Sequence, residues 1–407
     1  MNATILTVGD ELLIGQTIDT NSAYIGQKLN TIGIRVYQRI AVGDVAEQIT
    51  EGLQRAASQS QVVIITGGLG PTKDDITKKT IAEYFGVGFT FYEEVWEKMK
   101  VIFEKRGAAV LEMNRGQAML PSNALMLPNM RGTAQGMWFD ENGVVYVSVP
   151  GVPHEMKYLI DTLIIPKLQT RFELPKILHR TLMTAGAGES SIAAILSDFE
   201  NALPKYMALA YLPDLGVLKL RLSAYGEATE EEMDAQFNLL KTILGKYVYA
   251  EGEMSLHEFI GTQLFNQNKT LATAESCTGG YLSHLITSIA GSSQWFKGGV
   301  VSYSNEMKMQ TLGVKSETLT EHGAVSEQTV LEMVSGILKM TDADYGIAVS
   351  GIAGPGGGTE EKPVGTVWIA VASREQTIAR QFQFFPGRME NIRVSANAAL
   401  NLLRTVL

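Results

Sequence analysis

The chain has 407 residues, of which 45% are hydrophobic and 19% charged, with 34 Lys and Arg against 43 Asp and Glu. That length calls for two or three domains, each burying its own core, and the composition excludes low-complexity disorder and fibrous repeats. The formal charge of −9 argues against a cationic nucleic-acid-binding surface, and no uncharged apolar run reaches the ~18 residues of a membrane span, so neither partner is expected. Met1 to Glu11 has no cationic region and meets two acids almost at once, unlike a signal peptide. The single cysteine, Cys277, excludes an intrachain disulfide, and a cytoplasmic location is expected.

Residues 1–172 read as alternating strands and helices. Ala3 to Val8 is a short apolar strand, and Asn21 to Asn30 sets Ala23, Ile25 and Leu29 among polar residues, with Gly33 as a helix stop. Ile34 to Ile40 alternates like a strand, and Val45 to Ala57 is helical, with Ile49, Leu53 and Ala56 on one side. The continuous apolar run Val62 to Ile65 predicts a central parallel strand covered on both faces. An open α/β sheet is the expected architecture.

A linker is placed near Phe172 to Lys176, and residues 173–252 read as a small α+β module. It has a helix after Gly188-Glu189-Ser190-Ser191, a strand Val217 to Tyr225 and a second helix opened by the capping box Thr229/Glu232. Residues 253–407 form a third part, opened by the capping box Ser255/Glu258 and again alternating strands and helices. The predicted fold class is therefore α/β, with two separate three-layer α/β domains joined by a small α+β middle domain.

Four segments can carry chemistry. Gly67-Gly68-Leu69-Gly70-Pro71-Thr72-Lys73-Asp74-Asp75 follows the buried strand, where open α/β sheets bind ligands. With Asp10 and Glu11 at the neighbouring strand end, Asp74 and Asp75 can hold a hard cation such as Mg²⁺; equally, the two aspartates can simply cap a helix. No ATP or dinucleotide fingerprint occurs. Thr273 to Gly280 sets Ser276 at a strand-to-helix turn, where a helix N-terminus offers N–H groups to an oxyanion; Ser276 or Thr278 can also be no more than an N-cap. Cys277 is the rival nucleophile, but its nearest histidine, His284, lies among packing residues of the helix. Gly298 to Lys308 puts Lys308 one turn into a helix, as a solvated lysine or, if buried, as a base. Finally, Ser350 to Thr366 holds five glycines within Gly351 to Gly358. With Lys362 it can cradle a phosphate, or serve as a connector.

At these residues the sequence resembles the CinA family, the competence/damage-inducible protein A and CinA-like proteins of bacteria, along its whole length. Val8-Gly9-Asp10-Glu11-Leu12, Asn21-Ser22, Thr66 to Asp75 and Val149-Pro150-Gly151-Val152-Pro153-His154-Glu155-Met156 are similar to the molybdopterin-binding (MoaB/MogA-like) fold. Gly186 to Ser190 and Leu220-Arg221-Leu222 resemble the family's KH-like domain. Its Gly-Ala-Gly-Glu loop does not supply the usual GXXG clamp for RNA. Ala274 to Gly280, Tyr303-Ser304-Asn305, Lys308 and Gly351 to Gly357 resemble the nicotinamide mononucleotide (NMN) deamidase domain.

The resemblance implies a bifunctional hydrolase of pyridine-nucleotide salvage. The C-terminal domain would convert NMN to nicotinate mononucleotide and ammonia without a metal. Its nucleophile would be Ser276, its base Lys308, and Tyr303 would orient or relay a proton. Substrate contacts would come from Thr278, Gly279, Gly280, Gly351, Gly354, Gly356, Gly357 and Lys362. The N-terminal domain would be an ADP-ribose pyrophosphatase, using Gly67, Gly68, Gly70 and Thr72 and a divalent metal (Mg, Mn or Co) on Asp10, Glu11, Asp74 and Asp75. A homodimer is expected, as is deamidase activity in residues 255–407 alone. The contrasting reading is a non-catalytic nucleotide- or molybdopterin-binding sensor.

Overall fold

The computed structural model describes residues 1–72, 74–105, 112–174, 177–226, 228–385 and 387–407; Lys73 of the glycine loop and Pro175 and Lys176 of the expected linker lie outside them. The chain divides into two compact units, residues 1–177 with 225–226, and residues 178–224 with 228–407.

The first unit is built on a six-stranded sheet. Its strands are β1 (Asn2–Val8), β2 (Arg35–Val42), β3 (Val62–Thr66), β6 (Leu125–Leu127), β7 (Gly136–Glu141) and β8 (Val144–Val149), in the order β2-β1-β3-β8-β7-β6. The intervening β4 (Phe89–Phe91) and β5 (Met119–Pro121) pair antiparallel as a separate ribbon. Strands β2, β1, β3 and β8 run parallel, and β7 and β6 close the sheet antiparallel. Every residue of β3 is buried, as its continuous apolarity requires. Ile25 and Leu29 of helix Thr20–Thr31 pack on one face with Leu159 and Ile164, while Ile49 and Leu53 of helix Ala46–Gln59 pack on the other. This is a three-layer sandwich.

The second unit contains two sheets. The smaller has β9 (Ile177–Ala185), β10 (Met207–Asp214), β11 (Val217–Tyr225) and β12 (Val248–Glu251) in the order β10-β11-β9-β12. Helices Glu189–Ala202 and Glu230–Leu244 cover it through Ile192, Leu196, Phe237 and Leu240. The larger has β13 (Leu271–Glu275), β14 (Phe296–Val301), β15 (Tyr345–Gly351), β16 (Thr366–Ala372) and β17 (Thr377–Gln383) in the order β14-β13-β15-β16-β17. Helix Glu327–Thr341 packs on one face, and helices Leu256–Asn266, Tyr281–Thr287 and Arg388–Arg404 on the other. Both expected capping boxes form, Thr229 with Glu232 and Ser255 with Glu258.

The two large sheets share one device. In each, the first strand (β1 or β13) sits between a parallel neighbour reached on one side and a second reached on the other. The chain order reverses there, which opens a crevice at the carboxyl ends of the two central strands. Both glycine- and acid-bearing loops of the first unit, and the serine turn of the second, leave the sheet at that point. Among the described residues no helix is long and apolar enough to cross a membrane.

Candidate active sites

In the second unit the crevice lies between the ends of β13 and β15, where the Ser276 N–H donates to the Val349 carbonyl at 2.9 Å. The chain then turns sharply through Gly279 (φ +59°) and Gly280 (φ +95°), left-handed conformations that glycine adopts without strain. Helix Tyr281–Thr287 has Gly280 at its N-cap and no side chain of its own capping it. Neither Ser276 nor Thr278 is an N-cap. The fully buried Glu275 carboxylate does that work, accepting the N–H groups of Gly280 (3.0 Å), Leu282 (3.1 Å) and Ser283 (2.8 Å). The Gly279 N–H is spent on the Ser276 carbonyl at 3.1 Å. Among the described residues, only Cys277 and Thr278 in this turn keep N–H groups that no protein oxygen takes up. The expected oxyanion donors therefore narrow to these two, because the helix terminus proper is already occupied.

Lys308 is no solvated lysine. Ser304 caps helix Asn305–Leu312 through the Met307 N–H, and one turn later Lys308 points inward with 1% of its surface exposed. Its Nζ lies 3.0 Å from Ser276 Oγ, 2.9 Å from the Ser302 carbonyl and 3.4 Å from the Tyr303 carbonyl. It forms no ion pair among the described residues, and burial pulls its pKa below the ordinary 10.5. A neutral amine has two N–H groups and one lone pair. With both N–H groups of that neutral form on carbonyls, the lone pair would be left for the hydroxyl of Ser276, a residue only 8% exposed. Cys277 packs in the core with Leu282 and Ile286, and burial pushes its thiol up to about 12. At neutral pH it is a thiol, not a thiolate. His284 is exposed, with its ring tilted against that of Tyr281 at a centroid distance of 6.3 Å.

Tyr303 is 58% exposed and enters the site through its backbone, while its hydroxyl accepts from Arg388 Nη2 at 2.8 Å. Arg388 Nη1 also donates to the Gly354 carbonyl at 2.8 Å, so this arginine ties the tyrosine to the glycine-rich loop. In that loop Gly351 is held by packing, since a Cβ there would press on Thr366 and Val367 of β16. Gly354 (φ +90°) and Gly357 (φ +87°) take left-handed conformations, and Gly356 faces open space. Lys362 reaches away to donate to the His322 carbonyl at 2.8 Å.

In the first unit a cavity of about 460 Å³ opens at the ends of β1 and β3. Gly67 (φ +110°) lies against β1 so closely that a Cβ would fall 2.1 Å from the Val8 carbonyl oxygen. Asn21 staples the far wall, donating to Thr66 Oγ1 (3.2 Å) and to the Gly151 carbonyl (2.7 Å). Asp74 and Asp75 do not cap helix Thr77–Phe85, whose N-cap is Ile76. Asp75 instead folds back to accept the Thr72 N–H at 2.9 Å and the Thr72 hydroxyl, closing the turn against Gly70. Glu11, Asp74 and Asp75 line the cavity with Gly67, Gly68 and Gly70; Asp10 stands behind, donating its N–H to Asp44 at 3.1 Å. Burial, and behind it the charges of Asp10, Glu11 and Asp74, push the Asp44 carboxyl above its usual range. Six carboxylates line this cavity (Glu11, Asp19, Asp44, Asp74, Asp75 and Glu155), and its described lining has no lysine or arginine. No three acids, histidines or cysteines converge at metal-binding distance among the described residues. One or two carboxylates with substrate oxygens and water suffice for Mg²⁺, so the donor set fits an ion that arrives with a phosphate ligand.

Sequence reasoning missed Asp44, Glu275, Ser302 and Arg388. The rule that found Asp10, an acid just past a strand end, applies equally to Asp44 after β2. Glu275 and Ser302 act from inside the fold, and Arg388 comes from the far end of the chain, so no local pattern marks them.

Comparison with known proteins agrees with this architecture. Residues 4–170 match the family described as a probable molybdopterin binding domain, residues 179–250 the damage-inducible protein CinA KH domain, and residues 253–407 the CinA C-terminal domain. A CinA-like protein of Cytophaga hutchinsonii is 47% identical, over 100% of this chain and 98% of that protein. Another from Chloroherpeton thalassium is 43% identical over 100% and 99%, and a putative competence-damage inducible protein of Clostridium novyi 39% over 100% and 99%. Among solved structures, the competence/damage inducible protein CihA of Agrobacterium tumefaciens is 42% identical, covering 37% of this chain and 93% of its own, with a TM-score of 0.37. With relatives of this identity matched end to end, the chain belongs to the CinA family.

Proposed function

We propose that this CinA-family protein is a hydrolase whose C-terminal site deamidates NMN. The observation that carries the reading is the buried Lys308 Nζ at 3.0 Å from Ser276 Oγ, with burial favouring the neutral amine. Lys308 takes the Ser276 proton as Oγ attacks the carboxamide carbon of NMN. The oxyanion formed lies within reach of donors such as the Cys277 and Thr278 N–H groups. Lys308 then returns the proton to the amide nitrogen; the C–N bond breaks and ammonia leaves. Water, deprotonated by the same amine, cleaves the resulting ester to nicotinate mononucleotide and restores Ser276. Arg388, bridging Tyr303 and Gly354 at the surface, supplies positive charge at the rim, where a phosphate would sit.

For the N-terminal cleft we propose metal-dependent cleavage of ADP-ribose. The motivation is electrostatic: six carboxylates, with no lysine or arginine in the described lining, would repel a pyrophosphate unless divalent ions came with it. Glu11, Asp74 and Asp75 are the residues to hold such an ion, which would polarise the phosphoryl oxygens. Incubating the full chain with NMN and quantifying ammonia and nicotinate mononucleotide tests the first reading. Equal amounts of both products are expected. Binding of NMN with no ammonia released would favour the non-catalytic nucleotide-binding alternative.

A further inference from the structure

Glu275 is the last residue of β13, adjacent to Ser276 and fully buried. Burying a carboxylate is costly, and a helix start needs only an exposed Ser, Thr, Asn or Asp to be capped. Here the carboxylate accepts four donors: Gly280 and Leu282 N–H on one oxygen, Ser283 N–H and the Ser283 hydroxyl (2.6 Å) on the other. The Ser283 hydroxyl stands 2.8 Å from Thr273 Oγ1 as well, which ties the turn back to its own strand. The Glu275 carbonyl meanwhile accepts the Ser302 N–H at 2.8 Å, and the Ser302 carbonyl holds Lys308 Nζ. One residue is thus bonded to the turn that carries the serine and, through one intermediate, to the lysine.

We propose that Glu275 is a positioning residue for the serine–lysine pair, clamping the Ser276 turn with its carboxylate and the Lys308 anchor with its carbonyl. The proposal rests on Ser276 being the nucleophile, and not on NMN being the substrate. Because every group around the carboxylate is a donor, only an acceptor-only side chain satisfies the site. In Glu275→Gln the amide nitrogen must face at least one of those N–H groups. The turn then shifts while side-chain volume hardly changes.

Two readouts on the full chain test this: steady-state NMN hydrolysis, and the rate at which a fluorophosphonate probe labels Ser276, followed by mass spectrometry. For a folded Glu275→Gln, kcat and labelling rate should both fall about a hundredfold, the scale of an ångström-level misplacement, with KM for NMN moved far less. Ser283→Ala removes one of the four donors and keeps the backbone clamp; its labelling rate should fall several-fold with an unchanged melting temperature. Should NMN prove inert, labelling alone decides, and only the substrate reading falls. A wild-type protein that the probe does not label would overturn the positioning role, since there would be no activated serine to position. So would a Glu275→Gln protein that melts earlier yet labels at the wild-type rate, which is what a merely structural cap predicts. If Glu275→Gln does not fold, an unchanged labelling rate in Ser283→Ala overturns the proposal.

Discussion

In the proposed mechanism Lys308 can act as a base only when its amine is neutral. Burial lowers its pKa below 10.5, so the neutral fraction at a given pH exceeds that of a free lysine. The rate of ammonia release should rise with pH through a single limb whose midpoint lies below 10.5, and that limb should vanish with the activity in Lys308→Met. The same depression fixes the sign of a stability effect. Between the folded pKa and 10.5 the unfolded chain binds more protons than the folded one, so this residue makes folding more favourable as pH rises through that window. Cys277 gives the contrasting expectation. With its thiol pushed up to about 12 inside the core, it should resist iodoacetamide at pH 8 in the folded protein. Cys277→Ala should keep most of the deamidase rate and lose about 1 kcal/mol of stability, as a small core truncation does. Thiol alkylation that abolishes activity would reverse that assignment.

Among the elements, the turn after β13 makes the sharpest prediction. A Cβ at Gly279 would meet nothing within 4 Å, so Gly279→Ala has no clash to relieve and only a φ of +59° to oppose it. It should cost about 1–2 kcal/mol, measured by denaturant unfolding, and lower activity by tilting the Cys277 and Thr278 N–H groups. This turn and its counterpart after β3 were legible in the sequence, because apolar strands ending in glycine and polar residues mark ligand-binding strand ends. So were the three-domain order, the buried β3 and both capping boxes. The inward face of helix Asn305–Leu312 was not. Its sequence, Asn-Glu-Met-Lys-Met-Gln-Thr-Leu, has no apolar stripe, so nothing local says that Lys308 rather than Glu306 turns inside. Glu275 was opaque for a related reason: an acid at the end of a buried strand ordinarily reaches solvent, and here only the folded-back turn supplies its donors. Strand β14 (Phe296–Val301) ends short of Ser302 and Tyr303, which leaves both free to offer their carbonyls to Lys308.

At the scale of the whole molecule, the two proposed chemistries sit in separate compact units and should be separable. Asp75→Ala should abolish metal-dependent ADP-ribose cleavage, since alanine offers an ion no oxygen and also opens the Thr72 turn. It should leave ammonia release from NMN unchanged, and EDTA should divide the two activities in the same way. The middle domain belongs with the C-terminal sheet. Asn397 donates to the Leu215 carbonyl at 2.6 Å, Arg404 to the carbonyls of Lys246 and Val248, and Ala185 and Tyr249 lie in the same core as Leu256. A fragment of residues 178–407 should therefore keep the proposed deamidase activity, and a fragment of residues 255–407, stripped of that cover, should melt earlier. The most direct measurement for the central claim is ammonia release from NMN by the wild-type chain and by Ser276→Ala side by side, with melting temperatures recorded for both. The account predicts a fall of about a thousandfold or more in a protein that remains folded, because the hydroxyl is the attacking group. A folded Ser276→Ala protein that retains most of the wild-type rate would contradict it.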